Sequence, residues 1–190
     1  VAVGASIGSF LNVCAFRIPE GTFWKQTRSV CRSCNREIPF YYNIPIFSYL
    51  MLRGRSACCG SKISVQYPIV EIITALAFFL VLAEHPVFFS KFDTYRFDLA
   101  ACIRASYDLI FVSVMILAAT IDARLFIIPN KITYPMMFFA PLAAIVHPEY
   151  SVNQALIGAI VGGGGLFLVA WLYYLVRRRR GLGLGDVKLM

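Results

Sequence analysis

ASYDLIFVSVMILAATIDARLFIIPN, residues 105–130, is an apolar run that stops at a carboxylate and a proline. Residues 105–121 carry Asp108 as their sole charge, which reads as a membrane span a little shorter than the roughly 20 residues a straight crossing needs. Asp122 follows at once. Pro129 cannot continue a helix and biases Ile128 away from helical geometry, so the span should end shortly after Asp122, with Asn130 capping the next helix. A carboxylate at a membrane boundary is costly unless it is paired or used, which makes Asp122 a candidate functional residue.

Four other stretches extend this pattern outward: about 1–16, 67–83, 132–147 and 155–176. The chain is 59% hydrophobic and 15% charged with a formal charge of +8, too apolar for an ordinary soluble domain. The expected fold is all-α, a polytopic membrane helix bundle with a small cysteine-rich loop domain. Residues 1–16 are expected to form a truncated first membrane helix, 17–66 the loop domain, and 67–190 a membrane-embedded domain truncated at its C-terminus. No signal peptide is evident. The mixed segment from Val87 to Ile103 reads as an interfacial loop or as the start of the third span.

Charge sets the orientation. Arg17, Lys25, Arg28, Arg32, Arg36, Arg53, Arg55 and Lys62 crowd the first loop, which is therefore expected on the cytoplasmic side. Residues 148–154 lack Lys and Arg, whereas Arg177–Arg180 form a basic run, as alternation of sides requires. The clustering points to topology and anionic lipid headgroups rather than to nucleic acid. Two crossings separate Asp122 from Asp186, so both carboxylates are expected at the cytoplasmic rim. Gly181, Gly183 and Gly185 leave the backbone before Asp186 free to approach a substrate closely. Two close carboxylates cannot both ionise cheaply. One stays protonated while the other takes a proton from water, which is acid–base chemistry without a metal. Taken alone, Asp186 could equally be a helix N-cap, and Asp122 beside Arg124 a solvated end charge. A rival class is a transporter that couples protons or cations through these carboxylates.

Four of the six cysteines lie in the basic loop. Cys31-x-x-Cys34 and Cys58-Cys59-Gly60 have the makings of a tetrahedral thiolate zinc site, and a loop this short and polar needs such a staple. Ser56 stands where a second C-x-x-C would place its first cysteine, which leaves Cys58 as the questionable fourth ligand. Cys14 and Cys102 read as small packing residues. The glycines at 162–165 would allow close approach of another helix or serve ordinary packing.

Gly8-Ser9-Phe10-Leu11-Asn12-Val13, Arg17-Ile18-Pro19, Asn43-Ile44-Pro45-Ile46-Phe47-Ser48-Tyr49, Arg53-Gly54-Arg55 and Tyr67-Pro68-Ile69-Val70-Glu71 add to these elements. Together with Asp122 through Asn130 and Gly183-Leu184-Gly185-Asp186, they resemble the type IV prepilin peptidase family along most of the chain. The resemblance implies a bacterial inner-membrane aspartic endopeptidase of the Gly-x-Gly-Asp kind with Asp122 and Asp186 catalytic, and makes residues 67–190 its membrane-embedded aspartic peptidase domain. It implies cleavage of prepilins or type II secretion pseudopilins on the cytoplasmic side. It further implies N-methylation of the new terminus with S-adenosylmethionine, and zinc on Cys31, Cys34, Cys58 and Cys59. Family members continue beyond the second aspartate. Glu71 is a candidate for a structural or polar role, and Asn12 and Arg17 for orienting the loop or substrate.

Overall fold

The computed structural model describes residues 1–23, 28–85, 98–149 and 151–177. Its elements are α1 (Ala2–Glu20), a 3₁₀ turn (Phe40–Asn43), α2 (Phe47–Met51), α3 (Gln66–Glu84), α4 (Leu99–Leu125), α5 (Asn130–Phe139), a 3₁₀ turn (Ala140–Leu142), α6 (Ala143–Val146) and α7 (Val152–Arg177). Among the described residues no strand forms, only two isolated antiparallel bridges in the cysteine loop. The fold is the all-α, membrane-type architecture expected from the sequence. α1, α3 and α4 are each long and apolar enough to cross a bilayer. The chain divides into two compact units, Val1–Thr120 and Ile121–Met190, with the boundary inside α4.

In the first unit α1 lies against α3. A Cβ at Gly4 would stand 2.9 Å from the Ala75 Cα, and one at Gly8 would stand 2.7 Å from the Glu71 Cα. Glycines four residues apart share one helix face, so the two backbones meet without side chains between them. The polar side chains at the contact are bonded across it or within their own helix. The Asn12 amide, fully buried, donates to the Tyr67 carbonyl at 3.1 Å, and the Thr74 hydroxyl turns back onto the Val70 carbonyl at 2.7 Å. On the opposite face of α3, Ile69, Ile72, Ile73, Leu76, Phe79 and Leu80 are exposed in a helical stripe, as suits a lipid-facing surface. His85 at the end of α3 pairs with Asp108 of α4 at 2.7 Å, which gives the carboxylate inside the third span a partner.

Helix bounds differ from the sequence expectation where prolines act. α1 continues past residue 16 to Glu20, carries Pro19 in its last turn and is capped by Gly21 at φ 67°. The expected fourth span, 132–147, is divided. α5 holds Pro135 and ends at Phe139, Pro141 falls in a 3₁₀ turn, and α6 is four residues long. Two prolines six positions apart remove amide donors from consecutive turns, and each ring crowds a carbonyl of the turn before it. In the second unit Ile121, Ile132, Thr133 and Met136 are buried. At Gly158, Gly164 and Gly165 a Cβ would meet nothing within 4 Å beyond the adjoining backbone of its own helix.

Candidate functional site

The cysteine loop leaves α1 at Gly21 and returns to the membrane at α3. Two tight turns bring its sulfurs together. In the first, the Cys31 amide donates to the Arg36 carbonyl and the Asn35 amide to the Cys31 carbonyl, both at 2.8 Å. In the second, the Ser56 amide donates to the Ser61 carbonyl and the Gly60 amide to the Ser56 carbonyl, again both at 2.8 Å. Asn35 and Gly60 take the left-handed conformation these turns demand, at φ 54° and 68°. The bridges Val30–Glu37 and Arg55–Lys62 close the bases of the turns.

Cys31, Cys34, Cys58 and Cys59 place their sulfurs within 4.8 Å of one another. Cys34 and Cys58 are 3.2 Å apart, and Cys31 and Cys59 3.6 Å. Zinc–thiolate bonds of about 2.3 Å in a tetrahedron have sulfur–sulfur edges of about 3.8 Å, so the donor set fits one zinc-sized ion. The thiols respond to this crowding. The Ser56 hydroxyl, backed by the Cys34 and Ser33 amides, lowers the Cys31 thiol to about 5, and Ser61 lowers that of Cys59. The Arg36 amide also favours a thiolate at Cys34, but the neighbouring cysteine sulfurs and burial outweigh it and raise Cys34 to about 12. Four sulfurs this close cannot all ionise unaided, and a divalent cation removes that obstacle.

The loop is moored to the helices by polar contacts. The Arg32 guanidinium lies 3.1 Å from the centre of the Phe16 ring on α1, and Phe16 stacks on Tyr67 of α3. Arg17 donates to the Arg28 carbonyl at 2.9 Å, which ties the end of α1 to the loop. Glu71, buried, accepts the Ile46 amide at 2.7 Å. Ile46 is held at φ 62°, a strained value for a β-branched residue, and the bond to Glu71 helps fix it there. The signal for this bond was Glu71 itself, an acid inside an otherwise apolar segment. Replacing Glu71 with Ala leaves the Ile46 amide without its acceptor and should loosen the loop by about 1–3 kcal/mol. Glu71→Gln keeps an acceptor oxygen and should lose less. Faster amide exchange over residues 44–52 in the Ala variant checks this, and unchanged exchange would refute it.

Between α1, the loop and the start of α3 lies a cavity of ≈ 880 Å³. Phe16, Tyr42, Tyr49 and Tyr67 give it aromatic walls, and its charged lining is mixed, with Glu20 and Glu71 against Arg17, Arg32 and Lys62.

Asp122 sits in the last turn of α4, half-buried. Its carbonyl accepts the Phe126 amide at 2.8 Å, Phe126 turns out of the helix at φ 53°, and residues 127–129 are irregular. α4 thus ends soon after Asp122, as the proline foretold. Asn130 is the first residue of α5 rather than a residue preceding it, and the Pro129 carbonyl receives the first amides, from Ile132 and Thr133. Asp186 and the basic run from residue 178 lie outside the described residues. Cys14 is buried and Cys102 half-buried, in keeping with packing roles.

Residues 2–85 match the bacterial peptidase A24 N-terminal domain, and residues 109–190 match the type IV leader peptidase family. A prepilin leader peptidase/N-methyltransferase of Pectobacterium carotovorum subsp. carotovorum is 32% identical over 209 residues, covering 99% of this chain and 70% of that protein. The protein of the same name from Klebsiella pneumoniae is 31% identical over 193 residues, 98% of this chain and 78% of its own. A third, from Myxococcus xanthus, is 33% identical over 188 residues, 99% of this chain and 52% of its own. No solved structure matches.

Proposed function

The chain belongs to the type IV leader peptidase family, as a prepilin peptidase of the kind bifunctional with N-methyltransferase, and from that premise we propose how its residues divide the work. Asp122 and Asp186 are the catalytic pair. One carboxylate takes a proton from water, the resulting hydroxide attacks the scissile carbonyl, and the protonated partner donates to the developing oxyanion. The proton then passes to the leaving amine. The observation that carries this reading is the position of Asp122, a half-exposed acid in the final turn of an apolar helix, directly before the chain breaks.

Cleavage takes place at the cytoplasmic face of the bacterial inner membrane, a reading supported by the basic loop and the positive-inside rule. The substrates are prepilins or type II secretion pseudopilins. Their apolar helix lies in the bilayer while the basic leader hangs into the cytosol, so the scissile bond comes to the level of the carboxylates. The cysteine cluster holds zinc as a structural staple through Cys31, Cys34, Cys58 and Cys59. The methyl donor is S-adenosylmethionine, and the cavity beside the loop suits it in size, since ligand pockets run to about 300–1,000 Å³.

Incubating the full-length protein in detergent with a prepilin should release the leader, seen as a faster band on a gel. A proteoliposome that moved protons or cations while leaving the prepilin intact would favour the transporter instead.

A further inference from the structure

The two turns of the cysteine loop are copies of one another at an offset of 25 residues. Each element of the first has its counterpart in the second: the bridge at Val30 in that at Arg55, the left-handed Asn35 in Gly60, and the two closing hydrogen bonds in their equivalents. At this offset Cys34 corresponds to Cys59, both with their sulfurs in the cluster. Cys31 corresponds to Ser56, and Ser33 to Cys58. Serine and cysteine have therefore exchanged places between the first and third positions of the turn.

We propose that the metal centre is built with a displaced ligand. Cys58, from the third position of its turn, supplies the fourth thiolate, and Ser56, in the vacated ligand position, serves as a hydrogen-bond donor to the bound sulfurs. The inference rests on the reading that the cluster holds zinc. Two distances carry it. Cys58 Sγ lies 3.2 Å from Cys34 Sγ, inside the cluster, although its place in the turn is not the one that points inward in the first copy. Ser56 Oγ lies 3.3 Å from Cys31 Sγ and 3.0 Å from Cys58 Sγ, within reach of both sulfurs, and its single proton serves one of them at a time. A neutral serine hydroxyl is a poor ligand for zinc beside thiolates. As a donor to a thiolate it draws off charge and fixes the direction of the ligand.

The test uses the full-length protein in detergent, loaded with zinc, with elemental analysis and X-ray absorption at the zinc edge. The unaltered protein should hold one zinc with four sulfurs at about 2.3 Å. Cys58→Ser should lose a sulfur from the shell. The paired change Ser56→Cys with Cys58→Ser rebuilds the regular turn and should restore four sulfurs, which shows that loss in the single variant is not misfolding. Ser56→Ala should keep four sulfurs but release zinc to a chelator with an affinity lowered roughly ten-fold or more, as removal of a group supporting a metal ligand does.

Three sulfurs and an oxygen in the unaltered protein, or an unchanged sulfur count in Cys58→Ser, would overturn the displaced ligand while leaving zinc in place. An unchanged affinity in Ser56→Ala would overturn the role given to Ser56. A protein that takes up no zinc would overturn the underlying reading as well.

Discussion

Asp122→Asn and Asp186→Asn, each made in the full-length protein, are expected to cut the rate of prepilin leader removal by about 10²–10⁴-fold, the range that a positioned acid or base contributes. Asparagine has nearly the shape of aspartate but neither takes a proton from water nor donates one as an acid. The variants should still insert in the membrane, because removing a charge from the end of α4 lowers the cost of placing it there. Asp122→Glu is a sharper probe. It retains the acid but moves it, and a displacement of about 1 Å costs roughly 10²-fold in a positioned site. Methylation offers an internal control. The two family matches divide the chain at 2–85 and 109–190, and Asp122 lies in the second. Methyl transfer to a prepilin already trimmed of its leader should persist in the aspartate variants. Normal leader removal by either asparagine variant would take that residue out of the mechanism.

The sequence was most legible where one residue type has one physical consequence. Long apolar runs became helices, Pro129 ended α4, and four thiols in a polar loop came together. Contacts between distant segments were less legible. Gly4 and Gly8 look like any small residues in an apolar helix, and only the Ala75 and Glu71 backbones opposite them reveal that a Cβ would not fit. Glu71 announced itself as a buried acid, but its partner is a backbone amide, and amides leave no trace in a sequence. Pro135 and Pro141 were visible in the expected fourth span, yet hydropathy sums over them, and a summed apolar count does not register missing donors. Ser56 shows the same limit from the other side. As a letter it is a missing cysteine, whereas the matching hydrogen bonds of the two turns give it a definite place beside Cys31 and Cys58.

Removing zinc should open the cysteine loop while leaving the membrane helices folded. Between residues 28 and 65 only Cys31 and Ser48 are buried among the described residues, so the loop has almost no apolar core to hold it once the metal leaves. Its other restraints include the exposed Arg28–Glu37 pair, which salt and water screen, the bond from Arg17 to the Arg28 carbonyl, and the contacts of Arg32 and Ile46 with the helices. A structural zinc site, by contrast, contributes on the order of 10 kcal/mol in small metal-folded domains. α1 and α3 do not depend on the metal, because their contact runs through Gly4, Gly8 and Asn12. The arginines at 28, 32, 36, 53 and 55 are already exposed, so what protects them from trypsin is the folded backbone around them. Stripping the protein with a strong chelator should free that backbone and speed cleavage by roughly 10²-fold or more, since proteolysis follows the population of the open state. Helix content measured by circular dichroism should change little. Protonation gives a second readout. The Cys34 thiol, raised to about 12, is protonated at neutral pH in the metal-free cluster, so binding zinc must expel its proton. Zinc added to the stripped protein in weak buffer should acidify it, and affinity should fall as pH falls, because protons and metal compete for the same sulfurs. A metal-free loop as resistant to trypsin as the loaded one would mean that the polar contacts alone hold it, and that the cysteines are not its staple.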